Sequence, residues 1–153
     1  MGAASSISSE RKNVYNVYIS YDHTLDYNYL QMMCKSIDIK GINIITTDVS
    51  KLCDNNYDAV YITNNITEMM TTCKYLIICV SNSTIKSFIQ TIELNIALDY
   101  RDKIIYIITE KESNPIIDSI IGSVVKENTW FRCYDESTFT HCLKEIMHIL
   151  DAN

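Results

Sequence analysis

The chain has 153 residues, room for one ordinary domain and not for two. Hydrophobic residues make up 47% of it, enough for a core without metal or disulfide staples; with three glycines and one proline, collagen-like, low-complexity and long disordered classes fall away. A net charge of −6 lacks the basic footprint of a nucleic-acid binder and disfavours anionic membrane surfaces as partners.

Residues 1–12 read as a flexible polar leader and residues 13–153 as a single domain. The leader opens Met1-Gly2-Ala3-Ala4-Ser5-Ser6, which fits the pattern for N-myristoylation at Gly2. One acyl chain anchors only marginally, so the expected location is cytoplasmic with weak membrane association at most. Neither a secretory signal nor a run of transmembrane length is present.

Short β-branched runs then alternate with helical patterns. A strand is predicted over 14–20, followed by a helix over 25–39 that stops at Gly41. A second strand over 42–46 precedes a helix over 61–72. The third run, YLIICVS over 75–81, leads into a helix over 84–100 with Ser83 as its cap. Ile85, Ile89, Ile92 and Ile96 recur there at helical spacing and form its apolar stripe. The fourth run, KIIYIIT over 103–109, is followed by a short helical pattern over 115–125. A fifth strand over 130–134 carries Trp130 and Phe131, read as core anchors. The last helix, over 137–150, has Phe139, Leu143, Ile146, Met147 and Leu150 as its stripe. The third and fourth runs are almost continuously apolar, as strands covered on both faces require.

The six cysteines (Cys34, Cys53, Cys73, Cys79, Cys133 and Cys142) form no C-x-x-C pair, and no Cys/His cluster has zinc-ligand spacing. They read as free packing thiols of a reducing compartment, with no metal site, and Cys53 is the one expected at the surface.

The alternation gives an α/β class: a flavodoxin-like, doubly wound, five-stranded parallel sheet with helices on both faces. Ligands in such folds bind at the carboxyl ends of the strands, near the point where strand order reverses. Several occupants of this architecture fail at the first turn. Ser20-Tyr21-Asp22-His23 has no glycine for a dinucleotide fingerprint or a phosphate-binding loop. Asp22 alone lacks the paired acids of a phosphoacceptor domain, and the SYDHT segment is a poor flavin-phosphate loop.

The remaining signals, in order, resemble the Toll/interleukin-1 receptor (TIR) domain family. The first strand and its exit, VYNVYISYD, resemble the family's first box, in which an apolar strand ends in Ser-Tyr. The segment GINIITTDVSKL is similar to the second strand running into the family's BB loop, and its DVSKL part is similar to that loop in NAD-cleaving members. The stretch NITEMMTTCKYLIICVSNSTIKSFIQTIELNIAL resembles a helix, a strand ending in Ser, and a helix carrying S-x-W-x-x-x-E-L. The resemblance spans about residues 14–150.

The resemblance implies a site. The family's catalytic glutamate on the third helix corresponds to Glu93. Tyr21, Asp22 and His23, with Thr46, Thr47 and Asp48, are implied to line a substrate cleft at the strand ends. Ile89 stands where many enzymatic relatives carry Trp, and Val49, Ser50, Lys51 and Leu52 fall in the implied BB loop used for assembly. The implied reaction is cleavage of the nicotinamide–ribose bond of NAD+, with NAD+ as substrate and no cofactor, in immune or cell-death signalling. From spacing alone, Glu93 lies about 40° from Ile89 around the axis, on the edge of the apolar stripe and partly desolvated. A glutamate beside a core stripe is most often a solvated helix residue, so spacing by itself does not choose. Beside the NAD+ glycohydrolase stands a second reading, a non-enzymatic adaptor or decoy that binds other TIR domains through residues 47–57. Self-association fits both.

Overall fold

The computed structural model describes residues 15–23, 27–47, 58–111 and 128–152. The expected leader with Gly2, the helix over 115–125, and Asp48, Val49, Ser50, Lys51, Leu52 and Cys53 lie outside the described residues.

The described residues contain five strands: β1 (Asn16–Ser20), β2 (Asn43–Ile45), β3 (Tyr75–Val80), β4 (Ile104–Ile108) and β5 (Thr129–Arg132). They form one parallel sheet in the order β2-β1-β3-β4-β5, the flavodoxin-like winding expected. The order reverses between β1 and β3, so the switch point lies where both strands end. The helices are α1 (Asn28–Ile39), α2 (Ala59–Thr71), α3 (Phe88–Ala97) and α4 (Glu136–Asp151).

Alternation along the strands divides the core in two. Val17, Ile19, Ile77, Cys79, Ile105 and Ile107 face α1 and α4. Tyr18, Leu76, Ile78, Val80, Tyr106 and Ile108 face α2 and α3. Every residue of β4, and all but the first of β3, is buried, as their unbroken apolar runs require.

Local chemistry sets the ends of the elements. Gly41 ends α1 in the left-handed region, at φ 80, where its amide donates to the Asp38 carbonyl at 2.9 Å. Asp58 caps α2, its carboxylate accepting the Val60 amide at 2.9 Å. Asp135 and Thr138 close α4 with a reciprocal capping box. Cys34, Cys73, Cys79, Cys133 and Cys142 are free thiols, and all but the half-buried Cys34 are buried.

Two expectations need correction. The single helix over 84–100 is three pieces: a 3-10 turn at Thr84–Lys86, then α3, then a 3-10 segment at Leu98–Lys103 with Tyr100 out of helical geometry. Ser83 makes no side-chain cap; Ser87 is extended and its hydroxyl accepts the Gln90 amide at 3.2 Å, so the α-helix starts there. Trp130 is not a core anchor. It lies on β5, at the end of the strand order, 37% exposed, with its ring beside the Arg132 guanidinium. Among the described residues no helix is long and apolar enough to cross a membrane.

Candidate functional site

Glu93 is fully buried, at 0% exposure, in the middle of α3. Glu93 does sit at the edge of the isoleucine stripe, but the expectation of partial desolvation is corrected, because its carboxylate is fully buried. The buried residues of α3 are Ile89, Gln90, Glu93, Ile96 and Ala97. At about 100° per residue, with Ile89 as zero, they fall at about 0°, 100°, 40°, −20° and 80°. Their mean, about 40°, is the direction of Glu93 itself. Ile92 sits at the border and is only half-buried.

Three hydroxyls surround the carboxylate. Tyr18 and Thr47 both reach Oε2, the latter at 3.1 Å, and Ser20 donates to Oε1 at 3.0 Å. The Thr47 hydroxyl also lies within hydrogen-bond reach of the Tyr18 oxygen, so its single proton is shared between that oxygen and Oε2. Tyr18 and Ser20 are two apart on β1, so alternation turns both toward α3. Thr47 follows the last paired residue of β2 by two positions. Among the described residues no lysine or arginine pairs with Glu93. Burial raises its ionisation from 4.5 to about 7, against the opposing pull of the Tyr18, Ser20 and Thr47 hydroxyls. Burial and the neighbouring carboxylate in turn push the Tyr18 phenol well above its ordinary value.

The other expected site residues gather elsewhere. Asp22 is buried and accepts from the Ser83 hydroxyl at 2.7 Å. Tyr21 is half-buried with its ring 4.1 Å from that of His23, which is exposed. A cavity of about 180 Å³ opens here, bounded by Tyr21, Asp22, Tyr27, Ser81 and Glu110. A second, of about 360 Å³, lies between α1 and the ends of β1 and β2, with Thr46 on its wall. Glu93 lines neither. Thr47 thus bonds Glu93, whereas Tyr21, Asp22 and Thr46 line the cavities. Ile89 is 8% exposed and belongs to the core beneath α3. Asp48 and the four assembly residues lie outside the described residues.

Sequence reasoning missed Tyr18 and Ser20. Their alternation on β1 was visible, but nothing local links them to a glutamate 75 and 73 residues away.

The family model described as the Thoeris protein ThsB, TIR-like domain, matches residues 18–114, well over half of the chain. The chain belongs to this TIR-like family. The match runs from β1 to just beyond β4 and so includes every strand and helix that touches Glu93. Among curated proteins none matches the chain. The five-stranded parallel sheet with helices on both faces is the architecture that the TIR resemblance led one to expect.

Proposed function

We propose that this TIR-like domain cleaves the nicotinamide–ribose bond of NAD+, with Glu93 as the catalytic residue. One observation carries the reading. A fully buried carboxylate, without a cationic partner among the described residues, is held by three hydroxyls beside the switch point of a parallel sheet. Burying such a charge costs free energy that a structural role does not explain, since a neutral glutamine would pack as well. A site that acts on a cation explains it.

In the reaction the bond between ribose C1′ and the pyridinium nitrogen breaks. Its electron pair leaves with nicotinamide, which departs neutral, so no strong general acid is needed. Positive charge moves to the ribose as an oxocarbenium ion, and the Glu93 carboxylate stabilises it in a low-dielectric setting. Water then adds at C1′ and loses a proton to give ADP-ribose, or a nucleophile of the same molecule closes a ring. NAD+ is the substrate, and the chemistry calls for no further cofactor.

Glu93 is enclosed in the form described, so contact with the ribose needs one of its partners to give way. Tyr18 and Ser20 belong to a strand paired on both sides or bonded to β3, whereas Thr47 lies past the end of β2. Thr47 is the partner that yields. Nicotinamide release by the purified full chain at high concentration, beside Glu93→Ala, tests the proposal. Release by the wild type and none by the variant supports it. No release from either, under crowding that promotes assembly, moves the reading to a non-enzymatic adaptor acting on other TIR domains.

A further inference from the structure

We propose that Tyr18 is a positioning residue for Glu93, its hydroxyl holding the carboxylate in one orientation and in its ionised form. The inference rests on the reading of Glu93 as the catalytic group, but its test does not. Tyr18 lies at the middle of β1, in register with Ile45 on one side and Leu76 on the other. Its ring is fully buried and its backbone is fixed by both neighbours. The hydroxyl therefore has a set position, and there it bonds both Glu93 and Thr47.

The same sheet face supplies a comparison. Tyr106 on β4 is also fully buried toward α2 and α3, yet its hydroxyl has no hydrogen-bond partner. A phenylalanine would fill either position, so packing alone does not call for a phenol. Only the Tyr18 phenol meets a carboxylate. A donor to an ionised carboxylate makes a charge-assisted bond, stronger than a neutral one, and so favours the ionised form over the protonated one. Ser20 adds a second donor at 3.0 Å to the other oxygen. Among the described residues Tyr21 and Cys79, from the end of β1 and from β3, also sense the Glu93 charge. Neither carries a positive charge, and neither is hydrogen-bonded to the carboxylate as the Tyr18 phenol is.

The test is a carbon-13 titration of the Glu93 carboxyl in the full chain, with the resonance identified by its loss in Glu93→Gln. Wild type, Tyr18→Phe and Tyr106→Phe are compared. Tyr18→Phe is expected to raise the Glu93 midpoint by about one pH unit, the loss of one charge-assisted bond. Tyr106→Phe, the matched removal of a buried phenol, leaves the midpoint in place. Where NAD+ is turned over, the acid limb of kcat moves by the same amount and KM changes little. A Glu93 midpoint unmoved in Tyr18→Phe, or moved equally in both variants, overturns the proposal. If Tyr18→Phe does not fold, the wild-type Tyr18 hydroxyl proton decides. It is expected far downfield and shifting as Glu93 titrates, and a resonance indifferent to that titration overturns the proposal. Absence of NAD+ turnover in the wild type refutes the proposed function alone and leaves the titration result standing.

Discussion

Replacing Glu93 by glutamine should make the domain more stable at pH 8 while removing its proposed activity. The carboxyl ionises at about 7 in the fold and at 4.5 in its ordinary state. Between these values the folded chain binds more protons than the unfolded chain, so stability falls as pH rises. The stabilising proton is fully present below 4.5 and is lost as pH passes about 7. Above both values the ionised form costs about 3 kcal/mol, and at pH 5.5 about 1 kcal/mol. Glutamine removes that cost, and its carbonyl oxygen still accepts from the surrounding hydroxyls, but its amide hydrogens meet those same hydroxyls in place of an oxygen, a mismatch of about 1 kcal/mol at either pH. The net gain is about 2 kcal/mol at pH 8 and near zero at pH 5.5. For a chain of this length the gain at pH 8 raises Tm by roughly 4–8 °C. Thermal unfolding followed by circular dichroism at the two pH values measures it. A glutamine variant less stable than wild type at pH 8, or equally shifted at both, would refute the reasoning that Glu93 is held ionised at a cost.

Other substitutions probe the scaffold around the site. Gly41→Ala forces a side chain into the left-handed region although the space is open, and is expected to cost about 1 kcal/mol in denaturant unfolding. Asp135→Ala removes the capping box of α4 and should cost about 1 kcal/mol, measured by urea midpoint, with NAD+ turnover kept. Lys40→Ala breaks the exposed pair with Asp151 at 2.7 Å and should change the urea midpoint by less than about 0.5 kcal/mol.

The sheet was readable because its strongest runs obey a simple rule. YLIICVS and KIIYIIT are apolar on both alternating faces, and β3 and β4 are buried on both. Gly41 was readable because only glycine adopts its backbone geometry cheaply. The third helix was overextended for an equally physical reason. An isoleucine every three or four residues continued the helical pattern through Ser87, whose hydroxyl starts the α-helix instead. The stripe itself pointed roughly 70° away from the true buried face. Apolar periodicity cannot count Gln90 and Glu93, both of which are fully buried. A polar residue in a core is invisible to a hydrophobic pattern, and at Glu93 it marks the candidate site. Trp130 was misplaced because aromatic content does not say which strand ends a sheet.

The most direct test of the account is nicotinamide release from NAD+ by the purified full chain at high concentration, wild type beside Glu93→Gln. The account predicts release by the wild type and none by the glutamine variant, although the variant is folded and more stable at pH 8. Equal release by both, or none by the wild type under crowding, would contradict it.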